Sequence, residues 1–440
     1  MSFPDFGLGY GQFSLEKIMK TDRVKKIIRA ICFLLISGIF FIEIWDVTEV
    51  KTSNAMYSEF WQEPSGYDVL FLGTSHMYYG VSPMKIWKDY GITSYNLAAP
   101  SSQLPQSYWT LKCALEYNKP KVVVIDTYLV HANKKREGSE RIIHDGMDSI
   151  PVSATKAKAV MDLFDTQEEW QEYLFEFYIY HTRWKELGEE DFNWAPVKTK
   201  GAQYKSEIVD NSSCERIAED VVLEKNTVGY TYLRKIIEEC QKEGIQVVLT
   251  AIPNCNSIKA QKGMNGAGKI AEEYKVPFLN MPYEEALVDP LIDYADRGHL
   301  NQSGSNKITD YLGKYLSENC DLTDYRTSEA VAGKWEADYR EYKAYRTSLL
   351  KEETELPCYL LWLNDKSYNC FVYQRDVMNP DTSLQLRRLF ENVGNKQMID
   401  ADTAAQMLGA KPDAEYAFIL QDMETGEVID KALFLDGKKQ

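Results

Sequence analysis

Five short apolar runs punctuate the stretch from Tyr67 to about Cys320: Asp68–Leu72, Ser94–Leu97, Val122–Asp126, Gln246–Ala251 and Pro277–Asn280. Amphipathic segments of helical spacing lie among them at Gln106–Tyr117, Tyr230–Glu243 and Asn265–Tyr274, and a further one, Gln302–Asn319, closes the series. Parallel strands cannot be joined by a tight turn and need a long crossover, usually a helix. The alternation therefore predicts an α/β fold on a parallel sheet, in the order β-β-α-β-(insert)-α-β-α-β-loop-α.

Two regions depart from that alternation. From about 131 to 222 the pattern breaks, and Thr155–Ile179 reads as a helical excursion of the kind that forms a lid or binding wall. The excursion runs out into a stretch that crowds His181, Arg183, Trp184, Trp194 and Lys200 together. Two readings stand there: an exposed helix end with aromatic anchors, or a groove in which Arg183 and the tryptophans receive sugar rings. Further on, Thr323–Glu355 is rich in Glu, Lys, Arg and Tyr and reads as a solvated bridging helix. Past Pro357 the pattern turns hairpin-like, with strands expected at Tyr359–Asn364, Asn369–Tyr373, Tyr416–Gln421 and Val428–Phe434 and a helix at Ser383–Asn392, a small α+β domain.

The formal net charge of −16, with no Lys/Arg run longer than three residues after the first 30, argues against nucleic-acid binding, which rests on phosphate neutralisation. Ile27–Trp45 is the one membrane-grade segment, with an apolar centre of 13 residues from Ala30 to Ile42. Arg29 and Glu43 at its edges can snorkel, and no A-x-A cleavage site follows, so it reads as an uncleaved signal anchor. Lys17, Lys20, Arg23, Lys25, Lys26 and Arg29 precede it while Asp46 and Glu49 follow, which predicts a cytoplasmic N-terminus and everything after about Val50 outside. The expected layout is a tail at 1–26, an anchor at 27–48, a catalytic domain at 52–325, a helical linker at 326–356 and a small domain at 357–440. Eight cysteines are scattered without metal-ligand spacing, and one pair, Cys358 with Cys370, could face across a hairpin.

The chemistry concentrates at two places. The first apolar run ends in Gly73-Thr74-Ser75-His76, and a serine on the turn after a strand is where a nucleophile works best. Far downstream, ADRGHLNQSG carries Asp296 and His299 ahead of the last helical segment, so a hydroxyl, an imidazole and a carboxylate can meet if the sheet brings them together. His76 reads as a packing or hydrogen-bonding residue or as a substrate contact. His131, His144 and His181 are too few and too scattered for a metal site, and neither metal nor cofactor is expected.

These blocks resemble the SGNH/GDSL hydrolase-fold family, and within it the membrane-anchored acyltransferase branch of DltD and AlgJ/AlgX-like proteins. The resemblance spans roughly Tyr67–Cys320 and implies an SGNH-type flavodoxin-like parallel sheet sandwiched by helices. GTSH at Gly73–His76 resembles the nucleophile block, and DRGHL at Asp296–Leu300 resembles the last block, implying Ser75 as nucleophile, His299 as base and Asp296 as its orienting carboxylate. Tyr95–Gln103, YNLAAPSSQ, looks like the second block, with Ala98 or Ala99 where typical members place an oxyanion-hole glycine. The third block normally supplies an Asn, and Val124–Tyr128 holds none, so Asn96, Ser101, Ser102 or Tyr128 are the open choices for a second donor. The small domain at 357–440 weakly resembles the interleukin-like EMT inducer type, which implies carbohydrate or partner binding.

The expected activity is extracytoplasmic O-acyl transfer, by default of acetyl, through an acyl-serine to a cell-surface polysaccharide or wall polymer. The resemblance implies a membrane-bound O-acyltransferase partner. His181, Arg183 and Trp184 are the expected sugar contacts besides His76. A carbohydrate esterase and a non-catalytic glycan-binding assembly protein are the alternatives.

Overall fold

A computed structural model of the chain describes residues 22–49, 51–62, 66–192, 197–376 and 383–440. Lys17, Lys20 and Trp194 lie outside these. The chain forms two compact units, one comprising Met1–Lys51 with Phe175–Trp194, the other Thr52–Leu174 with Ala195–Gln440.

In the first unit a helix runs from Asp22 to Thr48, and the most apolar 18-residue window of its Val24–Thr48 portion has a mean hydropathy of 2.4 and is not buried in protein. It is long and apolar enough to cross a membrane. Among the described residues the unit also holds a chain of single turns, Phe177–Tyr180, His181–Lys185 and Glu189–Phe192, packed on that helix.

The second unit is mixed α/β. Its first sheet joins β1 (Val69–Leu72), β2 (Ser94–Asn96), β3 (Val122–Asp126), β4 (Gln246–Ala251) and β5 (Phe278–Asn280), all parallel, in the order β2-β1-β3-β4-β5. Side chains alternate between two apolar layers: Leu70, Leu72, Val123 and Ile125 enter one, Val69, Phe71, Val122 and Val124 the other. Burial on both faces is why these strands read as unbroken apolar runs rather than alternating ones. The crossover helices Leu104–Ala114, Val228–Lys242, Ile258–Tyr274 and Gln302–Asn319 lie close to where the sequence predicts them. In this order the chain leaves β1 toward one side and returns past it to β3, so the carboxyl end of β1 is a switch point, where open parallel sheets leave a crevice.

The second sheet, ordered β10-β9-β8-β6-β7, contains β6 (Tyr368–Gln374), β7 (Lys396–Ile399), β8 (Tyr416–Asp422), β9 (Val428–Leu435) and β10 (Lys438–Lys439). Three expectations fail in this region. Leu356–Trp362 is a helix, not the strand expected at Tyr359–Asn364: Pro357 sits in its first turn, where a missing N–H costs nothing, and Leu356, Tyr359, Leu360, Leu361 and Trp362 are all buried. The Cys358–Cys370 pair is therefore not formed; both thiols are free, and the disulfide joins Cys214 to Cys255 instead. Nor is the expected linker solvated. The helix Glu329–Glu352 buries Trp335, Tyr339 and Tyr342 against the first sheet's core and Leu350 in the second sheet's core. Trp335 stacks 5.1 Å from Trp87, and Asp338 pairs with the buried Lys200.

Candidate active site

Everything at the end of β1 serves to present one hydroxyl. Gly73 has φ +148°, and a Cβ there would lie 2.5 Å from Cβ of Asp126 at the end of neighbouring β3, so only glycine lets the two strand ends approach. Thr74 caps the following helix, Ser75–Gly80, by accepting a hydrogen bond from the His76 amide (3.3 Å), while its own hydroxyl donates to Asp126 Oδ2 (3.0 Å). Asp126 is fully buried. Burial raises its carboxyl to about 6 against the opposing hydrogen bonds from Thr74 and from the Thr74, Thr127 and Tyr128 amides. Ser75, the next residue, is half-buried on the first turn.

The imidazole arrives on the loop that precedes the helix Gln302–Asn319. His299 Nε2 lies 2.7 Å from Ser75 Oγ, and His299 Nδ1 lies 3.0 and 2.9 Å from the two oxygens of Asp296. Asp296 Oδ1 also accepts the amides of Gly298 (2.8 Å) and His299 (2.9 Å), so the carboxylate folds its own loop around itself. Burial pushes this carboxyl up, but the hydrogen bonds from His299 and the Gly298 amide outweigh it and hold it at about 2. It is ionised at any physiological pH, which favours the tautomer with the proton on Nδ1 and the Nε2 lone pair toward Ser75.

Residues with no motif signal complete the surroundings. Lys205 Nζ lies 3.3 Å from Asp296 Oδ2 and 5.2 Å from the centre of the Tyr79 ring, whose edge meets His299 at 5.1 Å. Asn211 donates to the Asp296 carbonyl at 3.1 Å. The buried Tyr78 phenol also hydrogen-bonds Ser75, and burial raises its pKa. Both Lys205 and Asn211 come from the irregular end of the 131–222 insertion, which offers no periodicity to read. Asn254 is the one that a sequence argument could have found, since it follows directly on the carboxyl end of β4, beside the other strand ends. Its amide nitrogen meets His76 Nδ1 at 3.2 Å.

The tentative assignments fare differently. His76 is buried, edge-on to Tyr128 at 4.0 Å and 5.5 Å from the His299 ring. Burial, with His299 beside it, lowers its pKa to about 3. It stands as a buried, neutral ring beside His299. Of the oxyanion donors, the Ala99 amide is spent on the Gly73 carbonyl (3.1 Å), the Ser102 amide on Ala99 (3.2 Å), and the Asn96 side chain on Met77 and Val81. The Ser75 and Ser101 amides have no partner among the described residues, and Ser101 holds φ +51°. His181, Arg183 and Trp184 lie in the first unit, whereas Lys200 is buried in the second, paired with Glu59 and Asp338. Arg183 instead donates to the Thr48 and Glu49 carbonyls (2.7 and 2.6 Å) and to Asp191 (2.9 Å), closing the end of the apolar helix.

A cavity of about 890 Å³ lies away from the triad, lined by Lys85, Lys343, Arg346 and Asp365 among others. Its cations are largely paired, Lys85 with Asp89 and Asp310, Lys343 with Asp422 and Arg346 with Asp365. Among the described residues no group of His, Cys, Asp and Glu could hold a metal ion.

No protein-family model matches the chain. No curated protein matches it either. Among solved structures, one from Bacteroides fragilis described as a candidate acylhydrolase is similar over 57% of this chain and 86% of its own, at 13% identity and a TM-score of 0.29.

Proposed function

We propose that this chain is a serine-dependent acyl-transfer enzyme that works outside the cytoplasm. The observation that carries the reading is the unbroken line from Asp296 through His299 to Ser75, with contacts of 2.9 and 2.7 Å. In the first step Ser75 Oγ bonds to the acyl carbon of a donor ester or thioester. His299 takes the hydroxyl proton and returns it to the leaving group as its bond to that carbon breaks. The Ser75 and Ser101 amides are the donors we assign to the developing oxyanion, each worth on the order of 3 kcal/mol. In the second step His299 takes the proton of an acceptor hydroxyl as its oxygen bonds to the acyl carbon, and returns that proton to Ser75 Oγ as the serine ester bond breaks.

For the acceptor we propose a sugar hydroxyl of a cell-surface polysaccharide or wall polymer, acetyl as the acyl group, and supply through a membrane-bound O-acyltransferase. The long apolar helix supports placement at a membrane, and the Cys214–Cys255 disulfide supports an oxidising compartment. With water as acceptor the same machinery is an esterase. The test is intact mass of the full chain and of Ser75→Ala in detergent, with an activated acetyl ester and with or without wall oligosaccharides. The reading expects an acetyl adduct on wild type alone, passed to sugar faster than to water. An unacylated wild type sinks the catalytic reading, and loss to water with no sugar product leaves the esterase.

A further inference from the structure

The apolar helix Asp22–Thr48 does not leave its surroundings alone. Seven positions before its end, Phe41 meets the ring of Phe177 at 4.8 Å, and Trp45 meets the same ring at 6.1 Å. At 1.5 Å per residue Phe41 sits about 10 Å along the axis from Thr48. If the helix spans a bilayer, Phe177 shares the depth of a residue inside it.

The segment carrying Phe177 is pinned there. Arg183 ties its second turn to the Thr48 and Glu49 carbonyls and its third to the same guanidinium through Asp191. Four large aromatic side chains on this stretch, Phe175, Tyr178, Trp184 and Phe192, lie more than half exposed. Outside the apolar helix itself, every described Phe, Tyr or Trp of that exposure falls in these 18 residues. Uncovered aromatic area on that scale marks a surface made to be covered. Rings with a polar edge, Tyr178 and Trp184, suit the headgroup zone, where one side of the ring is apolar and the other wet. The stretch carries five acidic and two basic residues, so attraction to anionic lipid cannot hold it.

We infer that Phe175–Phe192 is a membrane-interface platform: a broken, aromatic segment that lies in the headgroup layer of the lipid surface from which the apolar helix emerges. The inference rests on the reading of that helix as a span. Its occupant is lipid, bound through ring burial and not through charge. Phe177 faces the helix, Arg183 closes the helix end, and the remaining aromatics are exposed.

The experiment uses the full chain in phosphatidylcholine nanodiscs with p-benzoylphenylalanine replacing Phe41, Tyr178, Trp184 or Val428, one at a time, followed by irradiation and mass spectrometry of adducts. Val428, exposed on β9 in the other unit, sets the background. Lipid adducts at positions 178 and 184 several-fold above that background, unchanged when phosphatidylglycerol is added, are the expected result. Adducts at position 41 with only background at 178 and 184 overturn the platform while leaving the span intact. Background at position 41 as well removes the span and the platform together. Adducts at 178 and 184 to a second copy of the chain in place of lipid overturn it in favour of a protein interface.

Discussion

Two histidine–aspartate pairs in the second unit share a local geometry and differ in everything around it. His144 Nδ1 lies 2.8 Å from Asp148 Oδ1, and His299 Nδ1 lies 2.9 Å from Asp296 Oδ2. The first pair is sealed, with side chains 5% and 3% exposed and the imidazole stacked 4.0 Å from the Tyr173 ring amid Ile143, Met147, Val160 and Phe164. The second is open, at 26% and 42%, with a serine hydroxyl on its far nitrogen. An imidazole oriented by a carboxylate is thus a packing device in one place and, on the proposed function, part of a reaction centre in the other. The difference is a nucleophile at Nε2 and a way in for substrate.

The contrast can be broken most decisively at the carboxylates. Asp296→Asn should lower acyl transfer about 10⁴-fold with an almost unchanged melting temperature, because the imidazole turns to the wrong tautomer. A rate within a few-fold of wild type would mean that Asp296 does not orient the base. Next in size comes the disulfide. The Cys255 amide donates to the Arg297 carbonyl at 2.8 Å and Arg297 reaches Cys255 Sγ at 3.1 Å, so the bridge braces the loop between Asp296 and His299. Replacing Cys214 and Cys255 with serine should cost up to about 100-fold in rate through misplacement of the base. Closing a loop across 41 residues should also be worth about 4 kcal/mol of stability, read by urea unfolding.

Asp148→Asn sharpens the comparison from the other side. It should leave the rate of the folded enzyme alone and cost about 1–3 kcal/mol in unfolding free energy, the usual consequence of disturbing a buried polar pair. Loss of rate at full stability would show that the sealed pair also takes part in chemistry. The smallest effect on rate is expected at His76, where the consequence is confined to acid pH. Its folded pKa of about 3 lies below the unfolded value of about 6.5, so the unfolded chain takes up a proton that the folded one refuses. That share of stability is present above pH 6.5 and is lost as pH falls toward 3. His76→Gln should flatten the acid side of the stability profile with little change in rate at neutral pH, and an unflattened profile would mean that His76 is charged in the folded state.

The parallel sheet was legible because burial on both faces leaves a mark in sequence: Val69–Leu72, Val122–Ile125 and Val247–Leu249 are apolar throughout. Ser75 and the Asp296/His299 loop stood out for the same reason, since each follows or precedes a strong element. The second sheet was harder. Leu356–Trp362 is apolar on all sides, and a seven-residue run of that kind fits a strand or a buried helix equally. β7 is exposed or half-buried along its length and leaves no apolar signal. Arg183 looked like a ligand-binding arginine because nothing local announces that its partners are carbonyls 134 and 135 positions away. Lys205 and Asn211 were invisible for the complementary reason: they sit in chain without period, and only the folded loop gives them a target.

The contact between Ser75 and His299 closes across 224 positions. At ribosomal speeds of about 5–20 residues per second, Ser75 exists roughly 10 to 45 s before His299 has been made. On the proposed function, a growing chain, or one cut short before the last strand and loop, carries a nucleophile with no base and loads no acyl group. Reactivity would in this sense be a certificate of completed synthesis, switched on only when the far end of the sheet has been laid down.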